Sequence, residues 1–475
     1  MTIVLEVPDE LKELETALKD VVSVARAQLD RARTRGPSEY AAFESDMAAA
    51  LLGVERRVHA ATLAALDMDA PSLIINGQAH VRVMRASSTF YTQAGSVEVE
   101  RALYRPSGER NAPVVDIVAL RIGAIEKVWL PGTARVMAHL LQQGTPREAE
   151  ATAARMGRMP YSHTSFHNVG QSVGRRFVGA REQIEEVLIE RYEIPSDACS
   201  VSVSLDRVSV PMEEPRKRAV GRPRKDAAKR PIVVSYRMAY CGTVTLHDAG
   251  GEAIHTIRYG AMAGGDAQQL CMGMADDVLR LLARRPQMRV MLLCDGASEL
   301  WNLLDAEFNP ESFGAHPIRR LVDFWHLIEK LSLATHVMFC DQSTRKQTLA
   351  RWRMNLLNKS DAAIEIRDEI LASGKEHARL GNDCPAHDAI TYTTNHSARM
   401  NYAGARRLNL PIGSGNVEAT CKSLFTVRFK RSGARWKHET GEHVVALRAL
   451  ALSDRWDQAM DLTLAVPNLS LRRAA

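Results

Sequence analysis

The chain has 475 residues, a formal net charge of +6 at pH 7, and a composition that is 45% hydrophobic and 25% charged. This composition is typical of globular proteins and excludes collagen-like and low-complexity classes. Its length predicts about three domains of ordinary size. Seven cysteines are scattered without a C-x-x-C pair, which favours a reducing compartment over a disulfide or zinc-ribbon framework. With no leader pattern and no apolar run long enough to cross a bilayer, we expect a cytoplasmic protein without a membrane partner.

The N-terminal part of the sequence predicts helices on both sides of a small sheet. Residues 8–34 and 37–66 have the spacing of amphipathic helices, so 1–70 is interpreted as a helical region that could hold a homo-oligomer together. Residues 72–105 alternate or are rich in β-forming residues, which predicts a small antiparallel sheet. Helices are then predicted at 131–144, 146–157 and 164–191. Their short turns suit a helix-turn-helix unit, so 71–194 is interpreted as a DNA-binding region, although a plain helical bundle fits the pattern equally well.

From Pro195 onward the pattern changes to that of an α/β fold. Strands are predicted at 199–210, 230–248, 252–262, 288–294 and 319–323, with helices at 266–284 and 297–307. Three antiparallel strands followed by a helix–strand–helix–strand run is the element order of an RNase H-like mixed sheet. We therefore expect such a catalytic core in 195–323 and 406–475, interrupted by an all-α insertion at 324–405. The tail from Gly441 predicts one last amphipathic helix.

Three acidic residues fall on this predicted core. Asp206 stands among apolar neighbours in the first strand, where an unpaired charge is costly. Asp295 ends the fourth strand, and in the expected sheet that strand lies beside the first, so the two carboxylates would meet. Glu418 begins a helix after the insertion. Such carboxylates suit Mg²⁺, and a pair of ions about 3.5–4 Å apart serves in-line phosphoryl transfer. Each acid alone could equally be a structural turn residue, a surface charge or a helix-terminal acid.

Four motifs together resemble a known family. They are "SVSLDRVSVPM", "VMLLCDGASELWNLL", "LVDFWHLIEKL" and "PIGSGNVEATCK…RFKRSGARW…ALRAL". This set is similar to the DDE transposases of bacterial insertion sequences, near the Mutator-like branch. The resemblance implies that Asp206, Asp295 and Glu418 are catalytic ligands of two Mg²⁺ or Mn²⁺ ions, and that Asp323 and His326 support them. One departure is Arg207, where a small residue would be expected.

The resemblance also implies a function and partners. The protein would be a DNA transposase that binds the terminal inverted repeats of its element and cleaves and joins double-stranded DNA, acting as a homo-oligomer. Two other functions remain open: a catalytically inactive, transposase-derived DNA-binding protein, and an RNase H-like nuclease that acts on RNA–DNA hybrids.

Two basic clusters are candidate DNA contacts. From Lys422 to Lys437 the chain has six Lys or Arg residues and no acidic residue. We expect these side chains to hold the DNA backbone: Lys422, Arg428, Lys430, Arg431, Arg435 and Lys437. A solvated basic helix is the alternative. Residues 216–230 hold eight Lys/Arg against one Asp. Within them Arg222, Arg224 and Lys225 belong to a segment that resembles an AT-hook core, with a generic phosphate-binding loop as the alternative.

Overall fold

The computed structural model describes residues 8–33, 39–214, 232–314, 316–466 and 468–474. By its internal contacts the chain divides into two compact units, one formed by Met1–Ala180 with Asp457–Ala475 and the other by Arg181–Trp456. The finer five-part division expected from the sequence stays a prediction. None of the described helices is both long and apolar enough to cross a membrane.

The fold is mixed α/β, as predicted, with two sheets. The strands are β1 Ser72–Ile75, β2 Gln78–Thr92, β3 Gly95–Pro106, β4 Val115–Asp116, β5 Ser200–Glu213, β6 Val234–His247, β7 Ala253–Ala261, β8 Arg289–Cys294, β9 Ile318–Val322 and β10 Leu471–Arg473. The helices before β8 are α1 Leu14–Ala32, α2 Tyr40–Ala65, α3 Ile117–Ile122, α4 Pro131–Gln143, α5 Pro146–Arg155, α6 His163–Gly179, α7 Arg181–Arg191 and α8 Ala267–Arg284. Those after it are α9 Ser298–Glu307, α10 Pro310–Phe313, α11 Phe324–Met338, α12 Gln342–Asn358, α13 Ala362–Ala372, α14 Pro385–His396, α15 Tyr402–Arg407, α16 Gly415–Thr420, α17 Val427–Phe429, α18 His438–Leu452 and α19 Trp456–Thr463.

The first unit contains the predicted antiparallel sheet, in the order β10-β1-β2-β3-β4. Its hydrophobic core joins Leu63 of α2 to Phe90, Val97 and Val99 of the sheet. The sequence did not predict β10, a three-residue strand from the C-terminal end that pairs antiparallel with β1. Edge strands this short carry too little pattern to be recognised.

Two segments that were each predicted to be one continuous helix are divided into two helices in the structure, so both predictions are wrong. The helix expected at 164–191 is divided into α6 and α7, because Ala180 leaves the helical conformation with φ −123° and ψ 20°. The last helix is divided into α18 and α19, because Asp454 takes a positive φ of 56°. A residue in that left-handed region cannot continue a right-handed helix.

The second unit is built on a mixed five-stranded sheet, in the order β7-β6-β5-β8-β9. The β5–β6 and β6–β7 pairs are antiparallel, whereas β5–β8 and β8–β9 are parallel. The predicted strands and helices between 199 and 323 are confirmed to within a few residues. The predicted contact between the first and fourth strands is confirmed as well, with Ser200 opposite Arg289 and Val203 opposite Leu292.

Helices cover both faces of this sheet. Val290 and Leu292 of β8 belong to a core that includes α8 and α9 residues. The alternate β8 residues Met291 and Leu293 belong to a second core with helices α11–α15. Because successive side chains of a strand point to opposite faces, these two cores lie on opposite sides of the sheet. The prediction that residues 324–400 are helical is confirmed.

Candidate active site

Asp206 lies in β5, and Asp295 directly follows the end of the adjacent strand β8. The residues that precede them are in contact, because the Cys294 thiol donates to the carbonyl oxygen of Leu205 at 3.0 Å. Oδ1 of Asp206 accepts the backbone N–H of Arg207 at 2.7 Å, and Oδ1 of Asp295 accepts the N–H of Ala297 at 2.8 Å. Neither aspartate forms an ion pair with any residue that the structure describes. Two half-buried carboxylates are therefore left without a basic partner, and a cation between them would relieve their repulsion.

Glu418 lies on a helix that follows the insertion. It is exposed in α16, which packs against β5 and β6. Cys421, one turn after Glu418, donates from its thiol to Oδ2 of Asp206 at 3.4 Å. The helix continues after α16 as a π-helical segment, Cys421–Thr426. Isolated π-helical turns of this kind are frequent at functional sites.

Asp323 fixes the start of this helix. It is buried, and its Oδ2 accepts both the backbone N–H of Ser414 and the Ser414 hydroxyl, the latter at 2.8 Å. Its Oδ1 accepts the N–H of His326 at 2.8 Å, which caps α11. Burial alone would raise the pKa of Asp323, but the hydrogen bonds from His326 and Ser414 outweigh it and the pKa is lowered. The charged Asp323 carboxylate thus links the start of α11 to the start of α16.

His326 lies between Asp323 and Glu418. Its Nδ1 is 3.2 Å from Oδ1 of Asp323, and its Nε2 is 3.9 Å from Oε1 of Glu418. The interaction with the Asp323 side chain, against the opposing effect of burial, raises the pKa of His326 to about 9. Glu418 and Asp295 add smaller electrostatic contributions in the same direction. A protonated His326 therefore bridges two of the predicted site residues at neutral pH.

Residues of the insertion also touch this site, and sequence reasoning missed them. A Cβ placed on Gly296, directly after Asp295, would lie 2.3 Å from Cε2 of Tyr392 and 3.0 Å from Nε2 of His396. Tyr392 and His396 are one turn apart on α14, with ring centroids 4.9 Å apart. Tyr392 Oη and His396 Nδ1 are buried and without a hydrogen-bond partner among the described residues. The only sequence feature that pointed to this contact was Gly296, the glycine that follows Asp295.

No protein-family model and no curated protein matches this chain.

The donor chemistry of the three acids fits a hard divalent cation. Among the described residues, no three His, Cys, Asp or Glu side chains already stand as a metal-binding group. Mg²⁺ does not require such a cage, because it keeps several waters and is held by one or two carboxylates together with substrate phosphate. Asp206 and Asp295 supply two unpaired carboxylates, and Glu418 supplies a third on a neighbouring helix.

Most of the basic side chains after Glu418 are at the surface. Those exposed are Lys422, Lys430, Arg431, Arg435 and Lys437. Arg435 lies 3.7 Å from Glu213. Arg428 is the exception, because it is buried and its guanidinium stacks on the Trp436 ring at 4.8 Å. It offers no surface to a phosphate in this conformation. The second cluster, with Arg222, Arg224 and Lys225, lies outside the described residues.

Arg207, at the position where a small residue was expected, has a partner. Its guanidinium forms an ion pair with Glu299 at the start of α9, and the Tyr240 hydroxyl donates to the same carboxylate. Arg207 therefore points its charge at Glu299, and not at Asp206 beside it.

Proposed function

We propose that this protein is a DNA transposase of the DDE type with an RNase H-like catalytic core. The observation that carries the proposal is the packing together of three elements, from distant parts of the chain, that each carry an acid. Asp206 and Asp295 come from adjacent parallel strands, and Glu418 comes from a helix whose Cys421 contacts Asp206. Carboxylate oxygens of this kind can hold the two metal ions that serve in-line phosphoryl transfer.

The strand order supports the same proposal. In sequence order the strands of the second unit lie 3-2-1-4-5, with only the second strand antiparallel to its neighbours. The third acid follows after the helices α11–α15. An RNase H-like sheet with an insertion before the last acid has this arrangement, and the four sequence motifs fall on the matching elements.

Each group of residues then has a distinct task. Asp206, Asp295 and Glu418 would hold Mg²⁺ or Mn²⁺, which when bound stabilises both the attacking and the leaving oxygen at phosphorus. Asp323, which directly follows β9, and His326 keep the start of the Glu418 helix in place. The exposed bases Lys422, Lys430 and Arg431 would grip the DNA backbone beside the cleaved bond, giving affinity that falls with salt and does not depend on sequence. Arg435 and Lys437 would make further contacts of the same kind with the DNA backbone.

The reaction has two steps that one site can perform. Hydrolysis at the end of the element frees a 3′-OH, and that hydroxyl then attacks a phosphodiester of the target DNA. Both are in-line displacements at phosphorus, so the same three acids serve both. Since the two ends of an element must be brought together, the active form would be a homo-oligomer.

An inactive, DNA-binding descendant is the second candidate, and Arg207 is the observation that favours it. A guanidinium next to Asp206 places positive charge where the site needs to attract a cation. Its pairing with Glu299 reduces that effect, and the presence of all three acids favours activity.

A nicking assay on the DNA that flanks the gene of this protein tests the proposal. Purified protein is incubated with Mg²⁺, with Mn²⁺ and with EDTA, and Glu418→Gln is compared with the matched surface variant Glu311→Gln. We expect metal-dependent 3′-OH ends at defined positions, retained in Glu311→Gln and lost in Glu418→Gln. Tight binding without cleavage under every metal would overturn the catalytic proposal and leave the DNA-binding descendant.

A further inference from the structure

Helix α11, the first helix of the insertion, carries two basic side chains on one side. His326 and Lys330 are four residues apart in it, and this spacing places both on the same side of a helix. His326 lies beside Asp323 and Glu418. One turn further along, Nζ of Lys330 is 4.9 Å from the centroid of the Tyr392 ring. This side of α11 therefore extends from the Glu418 carboxylate to a ring of α14.

Tyr392 connects Lys330 to the turn that follows Asp295. Its ring occupies the space beside Gly296, where an added Cβ would lie 2.3 Å from Cε2 of the tyrosine. His396, one turn later in α14, packs against the same glycine. Burial is the main cause that lowers the pKa of His396, and the charges of Lys330 and Asp295 act on this pKa with opposite signs. Lys330 thus lies close to the Asp295 turn.

The Lys330 ammonium is available to an anion. The side chain is half-buried, and in the part of the chain that the structure describes it forms no ion pair. Contact with an aromatic face orients an ammonium and leaves N–H donors for another partner. A phosphodiester is negatively charged, so three carboxylates by themselves would repel it. A cation on the insertion side of the same site reduces that repulsion.

We propose that Lys330 contacts the substrate, with its ammonium donating a hydrogen bond to a non-bridging oxygen of the phosphodiester that is cut. The identity of this substrate rests on the proposed function. The inference adds that the α-helical insertion supplies part of the active site, because α11 carries the donor and α14 supplies the ring that orients it. In phosphoryl transfer the non-bridging oxygens carry negative charge in the transition state, so a cation fixed beside them accelerates the reaction.

The first test compares DNA cleavage by Lys330→Gln, Lys330→Arg and a matched control, Lys346→Gln, at an exposed lysine of α12. We expect Lys330→Gln to slow single-turnover cleavage of the DNA that flanks the gene by about 10- to 150-fold, the loss of one charged hydrogen bond. Affinity for the same duplex, measured with Ca²⁺ in place of Mg²⁺, should fall less than the rate. Lys330→Arg keeps the charge and should retain more of the rate, whereas the control should match the wild type. Denaturant midpoints show whether each variant is folded.

The second test does not require cleavage. The wild-type chain is treated with an amine-acylating reagent in Ca²⁺, with and without the same duplex, and the labelled lysines are identified by peptide mass spectrometry. We expect the duplex to slow the labelling of Lys330 and to leave that of Lys346 unchanged.

The inference is overturned if Lys330→Gln, when folded, cleaves as fast as the control, or if the duplex does not protect Lys330 from labelling. Metal-dependent nicking by the wild type, lost in Glu418→Gln, would still support the proposed function in either case. Conversely, protection of Lys330 without nicking under any metal would support the phosphate contact and contradict the proposed catalysis. Absence of both nicking and protection would overturn both proposals.

Discussion

The Cys421 thiol donates a hydrogen bond to Oδ2 of Asp206, although the two residues are 215 positions apart. This contact ties the Glu418 helix to the first strand of the sheet. Contact with Cys241, followed by burial, raises the pKa of the Cys421 thiol well above its ordinary value. Cys241 is the residue opposite Asp206 on β6. Two buried thiols therefore flank Asp206.

The first prediction concerns thiol reactivity. A thiol whose pKa is raised forms little thiolate and reacts slowly. We expect the exposed Cys340 to be alkylated first in the native protein, while Cys241, Cys294 and Cys421 react only after unfolding. Burial raises the pKa of Cys294 in the same way. Peptide mass spectrometry after a short alkylation pulse measures the order, and early labelling of Cys421 would contradict its placement beside Asp206.

The second prediction concerns the glycine after Asp295. Gly296→Ala forces a methyl group into the space held by Tyr392, so we expect the free energy of unfolding to fall by about 1–3 kcal/mol. DNA cleavage should fall by more than the loss of folded protein explains, because the displacement of residue 296 also moves Asp295. Gly273→Ala in α8 is the matched control, since nothing lies within 4 Å of its added Cβ. That variant should be neutral or more stable by up to about 1 kcal/mol in denaturant unfolding.

The third prediction concerns pH. The pKa of His326 is raised from 6.5 to about 9 in the folded protein, chiefly by Asp323. A raised pKa means that the folded state holds the proton more tightly. Its stabilising effect is therefore fully present below pH 6.5 and is lost as the pH rises through about 9. The denaturant midpoint of the wild type should fall over this range.

His326→Gln provides the comparison for this effect. It cannot take up the proton, so its midpoint should change less over the same pH range. Equal pH slopes for the two proteins would show that the proton on His326 does not stabilise the fold.

The fourth prediction concerns the π-helical segment. Arg448 of α18 is buried, and its Nε and Nη2 donate to the carbonyl oxygen of Ser423 at 2.8 and 2.6 Å. Arg448→Met removes these charged hydrogen bonds, and we expect a loss of about 1.5–3 kcal/mol of unfolding free energy. Arg319→Met, an exposed arginine of β9, should change it by less than about 0.5 kcal/mol. Denaturant unfolding of both variants decides whether the segment depends on this contact.

The sequence predicted the second sheet well because its strands carry long, regular patterns. The sequence also predicted that Asp206 and Asp295 lie close together, since both were assigned to strands expected to be neighbours. The charge run after Glu418 predicted a basic surface but not the burial of Arg428, because charge alone does not say which side chain stacks on Trp436. The breaks at Ala180 and Asp454 were missed since single residues set them, and the apolar periodicity continues across both.

The contacts of the insertion were beyond sequence reasoning for another reason. Tyr392 and His396 reach Gly296 only after five helices have packed on one face of the sheet, and no local pattern encodes that approach. The π-helical segment was missed as well, because Arg448, which donates to its Ser423 carbonyl oxygen, lies on a helix further along the chain.

The bond between Asp323 and Ser414 has a consequence for how this chain can vary. Asp323 directly precedes the insertion and Ser414 follows its end by nine residues. The N–H of Phe324 also donates to the carbonyl oxygen of Ile412 at 3.0 Å. The chain segments before and after the insertion are therefore hydrogen-bonded to each other, so the insertion forms a closed loop of helices. The entropic cost of closing a loop depends only weakly on its length. Helices could therefore be added to or removed from the insertion over generations while Asp206, Asp295 and Glu418 keep their places.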